Sequence, residues 1–160
     1  MKKLFAMLLV SLFVVACFPQ LPEVPTLNGV ELPTVSGETE LWESDAYADK
    51  PILVVFMGSW CPWCKRTLPA LNALQEKYGD QVEIVGVFMD STPGPVRDVL
   101  QEHEVNIKAL FNGSEVAEGI GVSGIPHAIL FNKKHQAVRA WEGFSPSLEE
   151  EFDEEVKRVL

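Results

Sequence analysis

Three features of this sequence predict an α/β fold: a mixed central sheet flanked by helices, with an α/β insertion and an N-terminal strand or hairpin. Ile52-Leu53-Val54-Val55-Phe56-Met57 is a continuous apolar run rich in β-branched residues, the pattern of a central strand covered on both faces. From residue 62 to residue 119 helical and strand-like stretches alternate, which is the rhythm of βαβ units. Two further apolar runs, 128–131 and 137–141, flank the turn-rich Asn132-Lys133-Lys134; they form an antiparallel hairpin and make the sheet mixed.

Taken in order, residues 1–16 read as an export signal. Lys2-Lys3 is its basic start, 4–15 its apolar stretch, and Val14-Val15-Ala16-Cys17 its cleavage site. The apolar stretch falls short of the ~20 residues that span a bilayer. Small Ala16 before Cys17 resembles the bacterial lipobox, in which the cysteine is lipidated and becomes the mature N-terminus; this accounts for the odd cysteine. The plain alternative is an ordinary signal peptide with a chance cysteine at its end. Residues 17–25, with Pro19, Pro22 and Pro25, form a semi-extended tether, and 26–160 is one domain with a core of its own. Within it, Asn28-Gly29 is a turn and 30–32 a short strand.

The formal charge is −10 and becomes −12 without Lys2 and Lys3. Such a chain is repelled by nucleic acid and by anionic lipid, so any attachment to a membrane comes from the lipid on Cys17. With Cys17 set aside, Cys61 and Cys64 are the cysteines of the exported domain, which therefore has no structural disulfide framework in an oxidising compartment.

Trp60-Cys61-Pro62-Trp63-Cys64-Lys65 follows the apolar strand directly, where a strand hands over to a helix. Three residues apart, Cys61 and Cys64 share one helix face and are close enough for a short reversible disulfide. Cys61 opens the helix, beside free backbone N–H groups and the positive end of the helix dipole, which favour the thiolate that attacks. This implies thiol-disulfide exchange. A zinc site would need two more ligands from Cys17, His103, His127 and His135, which offer no second close pair.

The helix after Cys61 carries an inward stripe of Leu68, Leu71, Leu74 and Tyr78, ends near Gly79, and should kink at Pro69, which has no N–H for the Lys65 carbonyl. Strands are predicted at 82–88 and 107–111, and helices at 95–104 and 114–119. Ser145 caps the last helix, with Pro146 at its first position and Leu148, Phe152, Val156 and Val159 at helical spacing. Glu149-Glu150-Glu151 near its start and Lys157-Arg158 near its end suit the dipole. Trp42 and Trp141 are assigned to the core. His103 and His135 are assigned to the solvated surface.

These motifs give the chain a resemblance to the thioredoxin superfamily, and within it to the membrane-tethered TlpA/ResA-like thiol-disulfide oxidoreductases. The resemblance rests on the Trp60–Lys65 motif after a buried strand, Pro69 in the helix, Gly124-Ile125-Pro126 before the strand at 128–131, and an insertion from about Pro93 to Glu118. It implies a thioredoxin-like fold over roughly 24–160 and an enzyme exchanging thiols and disulfides. It implies that the Ile125–Pro126 bond is cis and lies beside the dithiol, with the Ile125 backbone left to pair with an extended peptide. Trp60, Pro62 and Trp63 then border the substrate, the two indoles as an apolar docking surface, with half-buried packing the equal alternative for Trp60. His127, where relatives more often have Thr, sits against the disulfide and as an imidazolium would stabilise the Cys61 thiolate; the alternative is a neutral rim histidine. Two carboxylates common among relatives are absent, replaced by Val55 and Thr67, which leaves the direction of catalysis, reductase or oxidase, open.

The expected cofactor is none beyond the Cys61–Cys64 couple. Expected partners are proteins bearing thiols or disulfides and an extracytoplasmic or membrane redox partner, met by a lipid-anchored monomer in the bacterial cell envelope. Two rival functions share parts of this pattern. A peroxiredoxin needs a Pro-x-x-x-Thr-x-x-Cys environment that Met57-Gly58-Ser59-Trp60 does not supply. A copper-delivery module would use Cys61, Cys64 and a histidine such as His127, since soft thiolates select Cu(I).

Overall fold

The computed structural model describes residues 25–37 and 39–160. The export signal, Cys17 and nearly all of the tether lie outside the described residues. A small antiparallel sheet comes first, made of β1 (Glu31–Pro33) and β2 (Leu41–Glu43), with Gly29 at φ +67° in the turn before it. A 3-10 turn (Ser44–Tyr47) leads to β3 (Ile52–Met57), then α1 (Pro62–Tyr78), β4 (Glu83–Phe88), α2 (Pro93–Glu102), β5 (Lys108–Leu110), α3 (Ser114–Gly119), β6 (His127–Phe131), β7 (Ala137–Glu142) and α4 (Leu148–Val159).

The main sheet has the order β5-β4-β3-β6-β7. β3 pairs parallel with β4 and antiparallel with β6, so the sheet is mixed as predicted. Alternation along β3 divides the core into two layers. Leu53, Val55 and Met57 join Leu68, Leu71 and Leu74 of α1, Val96 and Val99 of α2, Phe152 and Val156 of α4, and both cysteines. Ile52, Val54 and Phe56 face the other way, with Ile129 and Phe131 of β6, Ala117 of α3, and Leu32 and Trp42 of the small sheet. Helices therefore cover both faces.

The small sheet is tied to the main one by a polar clasp. Glu83, buried at the start of β4, accepts the Trp42 indole N–H (3.1 Å) and pairs with Lys108 of β5 (2.9 Å). Burial pulls the Lys108 pKa down, but hydrogen bonds to Tyr47 and Glu83 outweigh it and leave it raised. α1 and α4 are joined by Asp153, which accepts from Lys77, Tyr78 and Lys157; these donors hold its carboxyl well below the usual range.

Several boundaries differ from the sequence reading. α2 begins two residues earlier, because Pro93 supplies a ready-made first-turn φ behind extended Thr92, and the chain leaves helical geometry at Glu104 (φ +53°). α4 begins at Leu148 with Ser147 before it. Ser145 instead closes a turn, its carbonyl accepting from the Leu148 N–H (3.1 Å) and its hydroxyl from the Ser147 N–H (3.3 Å). α1 runs through Pro69 as one helix. His135 is buried at 5% exposure, not solvated: its Nε2 lies 3.2 Å from the Tyr47 carbonyl, and the Leu27 N–H donates to its own carbonyl (3.1 Å). Trp42 and Trp141 are both in the core.

Candidate active site

The carboxyl end of β3 feeds the loop Gly58-Ser59-Trp60, and Cys61 caps α1 in an extended conformation (φ −85°, ψ 114°). Pro62 occupies the first helical turn, where a missing N–H costs nothing. The capping atom is sulfur: the Cys64 backbone N–H donates to Cys61 Sγ at 3.2 Å. Both cysteines are free thiols, Cys61 at 7% and Cys64 at 2% exposure. Burial, followed by its hydrogen bond to Cys61, pushes the Cys64 thiol far above the ordinary cysteine value. The helix thus turns a backbone N–H toward the first sulfur, and the protein interior keeps the second protonated.

On the other side, the Cys61 thiol points to the Ile125 carbonyl at 3.9 Å. The Ile125–Pro126 bond is cis. The segment 124–126 therefore lies against the dithiol although more than 60 residues separate them in sequence. Trp60 and Trp63 stand out into solvent at 61% and 53% exposure. A Cβ on Gly58 would approach the Trp60 ring to 2.8 Å and Ile125 Cδ1 to 3.1 Å, so the glycine lets the indole lie close over the loop. Trp63 stacks on Phe144 (centroids 6.0 Å apart) and carries the Arg66 guanidinium 4.6 Å from its ring centre. Its orientation is set by a neighbour on its own helix and by the segment between β7 and α4.

The sequence reading missed Asp90 and Phe144. Asp90, just past β4 and 7% exposed, accepts from the Ser59 N–H (3.0 Å) and the Ser59 hydroxyl (2.5 Å), pinning the loop that presents Cys61. Asn112 donates to the Asp90 carbonyl (2.7 Å), so the α2–α3 insertion is stitched to the same point. No local pattern marks this residue; its partner is 31 positions away. Val55 and Thr67 are fully buried, and the Thr67 hydroxyl donates to the Trp63 carbonyl (3.2 Å).

His127 is close in sequence to the site but oriented differently from the expectation. It pairs with Phe56 across β3–β6, and alternation sets it with Ile129 and Phe131 on the sheet face opposite the layer of Cys61 and Cys64. Burial lowers its pKa, with Glu142, its register partner on β7, acting in the opposite sense. A neutral imidazole on that face does not supply the positive charge envisaged for the thiolate. Among the described residues, no group of three or more His, Cys, Asp or Glu is placed to hold a metal ion. No helix among them is long and apolar enough to cross a membrane.

A helix-capping thiol, a second thiol buried behind it and a proline segment laid alongside, all on a five-stranded mixed sheet, define a dithiol protein of thioredoxin-like architecture. A family model described as Thioredoxin-like matches residues 49–137, more than half of the 160-residue chain, which belongs to that family. The thiol-disulfide oxidoreductase ResA of Bacillus thuringiensis subsp. konkukian (strain 97-27) is 25% identical over 115 residues, 71% of this chain; the chain spans 65% of that relative's length. A thiol:disulfide interchange protein from Chlorobium tepidum TLS superposes with a TM-score of 0.73 at 18% identity, over 86% of this chain and 97% of that one. The pneumococcal exposed lipoprotein thioredoxin Etrx1 of Streptococcus pneumoniae strain TIGR4 gives 0.66 at 20% identity, over 81% and 98%. At these identities the two structures share the fold.

Proposed function

We propose that the chain is a thiol-disulfide oxidoreductase acting on proteins outside the cytoplasmic membrane, held there by a lipid on Cys17. The observation that carries the chemistry is the unequal pair: Cys61 Sγ receives the Cys64 N–H at 3.2 Å at the head of α1, with the Cys64 thiol buried behind it and its pKa raised. The relative named ResA supports the activity, and the structural neighbour named an exposed lipoprotein thioredoxin supports the location.

In the reductive direction, the Cys61 thiolate attacks one sulfur of a substrate disulfide. A Cys61–substrate bond forms, the substrate S–S bond breaks, and the leaving sulfur takes a proton. Cys64 then attacks Cys61 Sγ; the mixed disulfide breaks, the Cys61–Cys64 disulfide forms, and the second substrate sulfur leaves as a thiol. Two electrons and two protons have passed to the substrate. The oxidative direction is the reverse, and an extracytoplasmic redox partner restores the starting state. With Val55 and Thr67 in place of carboxylates, the Cys64 proton passes to solvent or to the departing sulfur. Substrate docking uses Trp60, Pro62, Trp63, Ile125 and Pro126.

The test is a pair of traps. Cys64→Ser should accumulate mixed disulfides with substrate proteins, because the resolving step is lost, and Cys61→Ser should accumulate none. Equal trapping by both variants, or trapping by Cys61→Ser alone, overturns the assignment of roles.

A further inference from the structure

A cavity of about 310 Å³ opens on the far side of Ile125 from Cys61, lined by Ser123, Gly124, Ile125, His127, Glu142 and Gly143. We propose that it is a subsite for a lysine or arginine side chain of the substrate, close in sequence to the cysteine that Cys61 attacks, with Glu142 as its anion. The proposal rests on the oxidoreductase reading and adds a substrate preference to it.

Position comes first. Ile125 is shared: its carbonyl receives the Cys61 thiol at 3.9 Å, and its residue forms one wall of the cavity. A substrate whose sulfur reaches Cys61 and whose chain runs along Ile125 is led toward this opening.

Shape and charge agree. Gly124 and Gly143 leave open space where side chains would otherwise stand, nothing lying within 4 Å of a Cβ on either. The cavity thus accepts a long, thin side chain, whose methylenes can lie along Ile125 while the cationic head stays in water. Glu142 is exposed at the end of β7 and has no salt bridge among the described residues, whereas Glu83, Glu102 and Glu155 each have one and Asp153 has two. His127, which faces it across the strands, is buried and carries a lowered pKa, so it does not neutralise Glu142 at pH 7. An uncompensated carboxylate along the path of a substrate selects among charged substrates chiefly through encounter and register.

The probe is a set of short peptides with a single cysteine activated as its 5-thio-2-nitrobenzoate disulfide, carrying Lys, Gln or Glu at each of the two positions on either side. Attack by Cys61 in the Cys64→Ser protein forms the protein–peptide disulfide and releases the coloured thiolate, so the first step is read alone. At low salt the best Lys peptide should react about fivefold faster than its Glu counterpart, the size expected of an exposed charge pair. Glu142→Gln should remove the preference and Glu142→Lys should reverse it. Glu154→Gln changes the net charge equally but is exposed on α4, outside the cavity, and should retain it. A preference that survives Glu142→Gln, falls equally in Glu154→Gln, or is absent from the parent overturns the subsite. If the charge preference holds but the two-cysteine protein cannot turn over a substrate disulfide, the subsite stands and the oxidoreductase reading falls.

Discussion

The Ser59–Asp90 contact places two hydrogen bonds, at 3.0 and 2.5 Å, on one buried carboxylate at the residue before Trp60. Removing the acceptor leaves a part-buried N–H and hydroxyl unpaired, a cost of about 1–3 kcal/mol. Asp90→Ala should therefore lower the unfolding free energy read from urea melts by that amount and slow alkylation of Cys61, while Asp90→Asn, which keeps one carbonyl acceptor, should lose less; an unchanged midpoint in Asp90→Ala would remove the pin. At His127 burial depresses the folded pKa. The unfolded chain then takes up a proton first, below about pH 6.5, and stability falls as pH drops from there through the folded value. His127→Thr should flatten that part of the stability–pH curve and leave the Cys61–Cys64 reduction potential unchanged, because the side chain belongs to the other core layer. A shifted potential in His127→Thr would return it to the dithiol. Cys61 and Cys64 were legible in sequence because spacing and neighbours carry their chemistry locally. Asp90 and Phe144 were not, since each acts on a partner brought near only by the fold.

Elements whose two ends are marked in sequence were found with their type and nearly their bounds: β3 is the apolar run itself, and α3 matches its expected span. Where two neighbouring residues can each start a helix, the sequence does not choose. Ser145-Pro146 has the chemistry of a helix start, yet Ser147 precedes α4, because the Ser145 carbonyl and hydroxyl are already used within the turn. The docking of α4 was legible from its spacing alone. Phe152 is fully buried and meets Trp141 edge-on with centroids 4.8 Å apart. Phe152→Ala should cost about 3–5 kcal/mol, the usual range for emptying such a site. Chemical denaturation measures it, and a loss below about 1 kcal/mol would mean that α4 closes over the cavity.

At the scale of the molecule, the mixed sheet with its insertion and N-terminal hairpin followed from the order of elements. The clasp of Trp42, Glu83 and Lys108 did not, because a buried acid and its two donors come from three separate strands. The anchoring proposed for Cys17 likewise belongs to the whole chain. Cys17→Ser should shift the protein from the membrane to the soluble fraction and alter its processing; equally firm membrane attachment of the variant would exclude the lipid.

β3 is bonded to a strand on either side along most of its length, and all six of its residues are buried. Backbone amides in such a position exchange with solvent hydrogen only when the domain opens globally, whereas edge strands and helix ends open in smaller excursions. The dithiol hangs from the end of that strand. Local fraying elsewhere thus leaves the sulfurs in register, and heating silences the site abruptly, at the temperature where the entire sheet comes apart.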